Sequence, residues 1–248
     1  MVSLLPILRK WINDASKLIV PERCVICRHR LHKYETSICL RCYAELPLTH
    51  IKGASGNAVE RLFWGQIPIC KANAFMHYSP HSESSHIFLQ LKYLNRPQIG
   101  VHFGEMMAAD LIDTGFFEGI DCIVPLPLAR KRLRKRGYNQ SETLAKGISH
   151  ITHLPIDTHS VVRTVSNPSQ TRLRVEERRD NVKNIFLLTP SHSFKGKHIL
   201  LIDDILTTGA TLLSCAKEIA KAEKVRISIL VLGLAGSHFS INRESDSV

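Results

Sequence analysis

The sequence predicts an α/β fold with a mostly parallel sheet, preceded by a small module built on four cysteines. Three observations carry this. Short apolar runs, Cys122-Ile-Val-Pro-Leu-Pro127, His198–Ile202 and Arg226–Gly233, alternate with segments of helical period, as in strands joined by crossover helices. The run His198–Ile202 leads into Asp203-Asp204 and a small hydroxylated loop, Thr207-Thr208-Gly209-Ala210-Thr211, before a helical stretch from Leu212 to Ala222. Cys24-Val-Ile-Cys27 and Cys39-Leu-Arg-Cys42 form paired CxxC units near the N-terminus.

Taken in chain order, residues 1–20 place Leu4, Leu5, Leu8, Trp11, Ile12, Leu18 and Ile19 at helical spacing. This predicts an amphipathic helix that packs on the protein itself. Docking on a membrane surface is the alternative, disfavoured by a weakly basic polar face. The first residues are too broken for a signal peptide and show no small-residue cleavage site. Residues 21–50 carry the cysteines, whose spacing lets four thiolates converge tetrahedrally on one Zn²⁺ with no position left for water, the pattern of a structural site. A disulfide or redox pair is the competing reading, but nothing in the sequence points to export, so a reducing, cytoplasmic setting is expected. His29, His32 and His50 lie nearby as conceivable substitute ligands, while Cys70, Cys122 and Cys215 sit in apolar settings and are expected in the core.

Residues 51–236 form the main predicted domain. It opens on a Gly-, Ser- and Asn-rich connector from Ile51 to Gly65, followed by a strand at Ala72–Tyr78. A helix over Ser84–Leu94 is broken by Arg96-Pro97, and a second runs to about Leu111. After Cys122–Pro127 comes a Pro-bounded loop with a basic run, then a helix from Ser141 with Glu142 near its positive end. A strand near Val161–Val165 precedes a polar stretch, Ser166–Asn184. Residues 237–248 are polar and predicted to be a disordered tail.

Composition narrows the function classes. The chain has 248 residues, 44% hydrophobic and 22% charged, typical of a globular protein. No apolar run approaches the roughly 20 residues that span a bilayer. The formal net charge of +11 is concentrated. Arg130-Lys-Arg-Leu-Arg-Lys-Arg136 holds six cations in seven positions, and Arg172, Arg174, Arg178, Arg179 and Lys183 form a second set. A solvated face is the ordinary reading of such runs. Pyrophosphate, a nucleotide or single-stranded nucleic acid are the anions that would fit.

The acidic pair and its loop suggest a specific ligand. Adjacent carboxylates at a strand end accept hydrogen bonds from vicinal sugar hydroxyls, and a glycine-containing loop at a helix N-terminus favours a phosphate. The stretch of four apolar residues, two acidic, two apolar, then Thr-Thr-Gly-x-Thr resembles the PRPP-binding motif of the type I phosphoribosyltransferases. The resemblance implies that Asp203 and Asp204 contact the ribose hydroxyls, and Thr207, Thr208, Gly209, Ala210 and Thr211 the 5′-phosphate. One departure matters: purine-type enzymes carry at the first loop position an Asp that helps handle the base, and here it is Thr207.

Further segments extend the likeness. Val124-Pro-Leu-Pro-Leu128, the basic run with Gly137-Tyr-Asn-Gln140, Leu91-Lys-Tyr-Leu-Asn-Arg96, Gln170-Thr-Arg-Leu-Arg174, Glu177–Phe186 and the paired CxxC units resemble the ComF/GntX family from about Pro21 to Gly233. That resemblance implies a phosphoribosyltransferase-type core associated with natural competence. Its implied partners are PRPP or another sugar phosphate, single-stranded DNA and the competence helicase machinery. It puts Pro125–Gln140 in the place of the pyrophosphate-binding loop, with Arg130, Arg132 and Arg136 neutralising the diphosphate beside Mg²⁺. Ser166–Asn184 takes the place of the lid. No general base is assigned, His150, His153 and His159 being the nearest candidates by sequence. Two functions remain: a sugar-phosphate-binding protein that handles single-stranded DNA, and a transferase moving ribose 5-phosphate from PRPP to a nucleobase-like acceptor in salvage. Trp64, Tyr78 and Tyr138 are the expected stacking aromatics.

Overall fold

Four parallel strands make the sheet on which the site is assembled. The computed structural model describes residues 22–93, 95–164, 185–189 and 194–236. The predicted N-terminal helix, the second basic set, the lid segment and the tail fall outside these residues. Strands β1 (Ala72–Tyr78), β2 (Cys122–Pro125), β5 (His198–Leu206) and β6 (Arg226–Ala235) lie in the order β1-β6-β5-β2. Every pairing is parallel. Central strands covered on both faces need apolar side chains in both directions, which is why β5 and β6 are nearly continuous in Ile, Leu and Val. A fully buried side chain of this size contributes on the order of 1.5–3 kcal/mol relative to exposure. A separate antiparallel ribbon pairs β3 (Val161–Arg163) with β4 (Phe186–Leu188).

Two layers cover the sheet. On one face Phe75, Ile123, Leu200, Ile202, Leu230 and Leu232 pack against α3 (Ser85–Tyr93), α4 (Pro97–Leu111) and α6 (Gln140–Thr152). The cysteine module, with its short α1 (Leu40–Ala44), joins this layer through Val25, Ile26, Ile38 and Leu46. On the other face Ile199, Leu201, Ile229 and Val231 meet α7 (Ala210–Ile219) and Phe63. Helices α4 and α6 touch backbone to backbone. A Cβ on Gly147 would drive into the Val101 carbonyl, and one on Gly104 into that of Leu144. That contact sets the N-terminus of α6 beside the sheet.

Three local expectations differ from the structure. The stretch expected as a connector holds α2 (Ala58–Arg61), capped by Asn57, whose side chain accepts from the Val59 and Glu60 amides. Val59 and Phe63 there are fully buried, so composition misled where two apolar residues at helical spacing dock on the sheet. The basic run expected as a loop is α5 (Arg130–Arg136), entered after Ala129 and closed by left-handed Gly137. Arginine and lysine are good helix formers, and Gly137 supplies the C-terminal stop. Cys70, expected in the core, is exposed, whereas Cys122 and Cys215 are buried. It precedes β1 at the N-terminal rim, where its amide pairs with the Ile227 carbonyl while its side chain is left to solvent.

Candidate functional site

The acidic pair stands within β5 rather than beyond it, with Asp203 paired to Val231 and the strand continuing to Leu206. Both aspartates are half-buried. Asp203 Oδ1 accepts from Ser141 Oγ at 3.0 Å and from the Asp204 amide at 2.8 Å. Burial, and next the Asp204 charge, push the Asp203 carboxyl up to about 7. Lys92, from α3, places Nζ 3.2 Å from Asp204 Oδ2. The two neighbouring carboxylates therefore have different partners, one a hydroxyl and an amide, the other an ammonium.

The loop after the pair is open. Thr207, Thr208, Ala210 and Thr211 are exposed, while Gly209 is buried. Gly209 has φ 76° and sits as the N-cap of α7, a conformation that side chains other than glycine resist. Phe63 and Leu206 lie beneath it, so the segment expected as a connector props the loop. Thr208 Oγ reaches the Ala210 amide only at 3.5 Å. The first amides of a helix have no intrahelical acceptor, and with the threonine hydroxyls they form a donor set suited to a phosphate.

A cationic wall adjoins this edge. Among the described residues no carboxylate pairs with any of the six cations of α5. Helical geometry puts Arg132 and Arg136 on one side and Arg130 on the opposite side. Arg136 is half-buried, donates to Gln140 Oε1 at 2.6 Å and lies 5.8 Å over the Tyr93 ring. Arg163, on β3, stacks on Phe186 at 5.3 Å. Burial first and the Arg132 charge second hold its guanidinium below the usual range, with Asp203 pulling the other way. Arg132, Arg163 and Asp203 thus share one electrostatic neighbourhood.

The four cysteine sulfurs, of Cys24, Cys27, Cys39 and Cys42, lie within 4.8 Å of one another. Cys27 Sγ and Cys39 Sγ are 3.7 Å apart. Tetrahedral Zn–S bonds of about 2.3 Å put sulfurs about 3.8 Å apart, so the residues fit a four-thiolate metal site. Three of the cysteines are buried, and among the described residues this cluster contains no histidine. The module is tied to α3 by Gln90 Nε2, which donates to the Val25 carbonyl at 2.8 Å.

Sequence reasoning brought Asp203, Asp204 and the threonine loop to one edge and missed three neighbours: Lys92, Ser141 and Arg163. Each comes from a different element, and only Lys92 carried a signal, as the cation beside the apolar face of its helix. The aromatics are redistributed. Tyr138 donates to the Leu91 carbonyl at 2.5 Å, Tyr78 packs edge-on against Phe88, and Trp64 lies under Arg61. Tyr93, 62% exposed, is the ring at the site edge. His150 pairs with Glu105 at 2.9 Å, and His153 closes α6 as a left-handed cap.

An α/β sheet with an acidic pair and a phosphate-type loop at its carboxyl edge defines a phosphoribosyltransferase-type domain. The family model described as "Phosphoribosyl transferase domain" matches residues 100–241, more than half of the chain, which belongs to that family. The chain is 28% identical over 215 residues to DNA utilization protein YhgH of Escherichia coli strain K12, covering 81% of this chain and 91% of that protein. It is 26% identical over 230 residues to Competence protein F of Haemophilus influenzae, covering 86% and 97%. Competence protein ComFC of Bacillus subtilis is 34% identical over 112 residues, 44% of this chain and 43% of that one. Within the phosphoribosyltransferase-type proteins, the chain is a ComF family member. Among the described residues no helix is long and apolar enough to cross a membrane.

Proposed function

We infer that this protein binds PRPP or a related sugar phosphate at the carboxyl edge of its sheet and serves the handling of incoming single-stranded DNA in natural competence. The observation that carries this is the continuous run of Asp203 and Asp204 into an exposed threonine loop, with left-handed Gly209 opening α7. Asp203 and Asp204 accept from the ribose hydroxyls. Thr207, Thr208, Gly209, Ala210 and Thr211 hold the 5′-phosphate. Arg132 and Arg136, with Arg130 at the rim, meet the diphosphate. Mg²⁺, when bound with PRPP, would offset the diphosphate charge. The role of this chain's own residues is to hold the sugar and to receive the negative end in a cationic wall.

The cysteine module is assigned a structural Zn²⁺, because all four positions are thiolates and three are buried. Residues 21–50 and 51–236 are taken as zinc module and phosphoribosyltransferase-type domain, while the segments 1–20 and 237–248 lie outside the described residues. The cytoplasm, where thiols stay reduced, is the fitting compartment. The names and coverage of the competence relatives support the DNA role. So does a surface combining the cations of α5, which have no carboxylate partner among the described residues, with exposed Tyr93, which suits a strand whose bases are free to stack. The competence helicase machinery is the partner consistent with that role.

Calorimetric titration with PRPP and Mg²⁺ tests the ligand. Wild type should bind, and Asp203→Ala/Asp204→Ala should lose at least tenfold. No binding by wild type sinks the proposal. Pyrophosphate release with any nucleobase in the same titration would instead make the protein an active transferase. For the DNA surface, Tyr93→Ala should weaken single-stranded DNA binding by about 1–3 kcal/mol.

A further inference from the structure

Lys92 touches the acidic pair in a shielded setting. Its Nζ lies 3.2 Å from Asp204 Oδ2, with the lysine side chain 23% exposed and the aspartate 15%. Surface pairs such as Arg41–Glu45 and Lys195–Glu223 lie in the open by comparison. An exposed pair holds its geometry weakly, whereas a shielded one is costly unless position and charge are both kept.

The helix that delivers Lys92 is fastened on several sides. Gln90 Nε2 donates to the Val25 carbonyl of the cysteine module at 2.8 Å, and the Tyr138 hydroxyl donates to the Leu91 carbonyl at 2.5 Å. The Arg136 guanidinium lies 5.8 Å from the centre of the Tyr93 ring, on one of its faces. Leu91 is fully buried. Lys92 thus reaches the site on a fixed element, while α6 delivers Ser141 to Asp203 at 3.0 Å.

An ammonium has three N–H donors, and Asp204 takes one of them. A sugar hydroxyl that donates a hydrogen bond to a carboxylate still presents lone pairs, and a charged donor beside that carboxylate is their natural complement. We propose that Lys92 is a specificity-determining residue of the sugar end of the site. Asp204 accepts a hydrogen bond from one hydroxyl of a vicinal diol and Lys92 donates to a hydroxyl oxygen, so the pair selects ribose over 2-deoxyribose. A ligand lacking the hydroxyl leaves a further N–H of Lys92 and a further lone pair of Asp204 unmatched in a shielded place, which costs more than the lost contact alone. In a protein that handles DNA, 5′-phosphorylated deoxyribose ends are the abundant look-alike, and this pair keeps them out. The inference rests on the sugar-phosphate assignment of the site.

Ribose 5-phosphate, 2-deoxyribose 5-phosphate and inorganic phosphate are titrated calorimetrically into the full chain and into Lys92→Met and Lys92→Arg. Wild type should bind ribose 5-phosphate at least fivefold tighter than the deoxy sugar. Lys92→Met should lose fivefold or more for ribose 5-phosphate and bring the two sugars together, with inorganic phosphate moved less than twofold. Lys92→Arg keeps a cation on Asp204 but displaces its donors, and should lower the preference. A wild-type preference under fivefold overturns the proposal. So does a preference retained in Lys92→Met, or an equal loss for inorganic phosphate. If Lys92→Met does not fold, the wild-type ratio and Lys92→Arg decide the matter. Failure of wild type to bind any of the three removes the sugar-phosphate assignment itself, whereas ribose 5-phosphate bound without discrimination removes only the role of Lys92.

Discussion

The cysteine cluster and the acidic edge are both dense in chemical groups, but one is closed and the other open. In the cluster, sulfurs within 4.8 Å of one another converge on a point, and three of the four cysteines are buried. At the sheet edge the threonine loop is exposed, and the cations of α5 have no carboxylate partners among the described residues. A closed set of groups stabilises the fold that brings it together. An open set leaves donors and acceptors for something that arrives from solution. Removing groups from the first should therefore cost stability, and removing them from the second should cost binding.

The largest expected effect tests the closed side. Cys42→Ala, or a strong chelator, should lower the thermal midpoint by 10 °C or more, in line with the several kcal/mol a structural metal contributes. Little change would break the contrast at once. Next is Gly147→Val, which should destabilise by about 1–3 kcal/mol, because its side chain would have to enter the α4 backbone. It should also weaken ligand binding, since the same contact positions Ser141 at Asp203. Chemical denaturation and calorimetry together would show whether the two losses travel together.

On the open side, Asp204→Asn should cost tenfold or more in sugar-phosphate affinity, with a loss of about 1–3 kcal/mol of stability because the shielded Lys92 loses its charge partner. Unchanged affinity with that loss of stability would mean that the Lys92 contact is structural only. A pH-dependent effect sharpens the difference between the aspartates. An unfolded aspartate titrates near 4, and Asp203 in the fold near 7. Between those values the folded state holds a proton that the unfolded state has lost, so this group's contribution to stability falls as pH rises from about 4 to about 7. Asp203→Asn removes that dependence. The variant should gain roughly 2–3 kcal/mol on wild type between pH 5 and pH 8, read as thermal midpoints across pH. Parallel midpoints for the two proteins would sink the assignment.

Several elements were legible without coordinates because their signal is local. The helices at Ser85–Tyr93 and Pro97–Leu111 follow from apolar period and the Arg96-Pro97 break. The paired CxxC units carry their own geometry, because each places two ligands on one tight turn. The run from Ile51 to Gly65 was misjudged because its Gly, Ser and Asn residues outweigh the two apolar residues that dock. The basic run was misjudged for a related reason: charge density says nothing about backbone state.

What the sequence determined by itself is what lies along one stretch of chain: the acidic pair, the loop that follows it, the four thiols and the alternation that demands a parallel sheet. Tertiary structure alone decided which side chains meet those groups. Lys92 and Asp204 lie on different elements far apart in the chain, Ser141 reaches Asp203 only because Gly104 and Gly147 let two helices touch, and Phe63 supports Gly209 from the face of the sheet that α7 covers. Periodicity and motif spacing report neighbours in sequence. Contacts between distant segments are set by packing, and no short-range pattern records them.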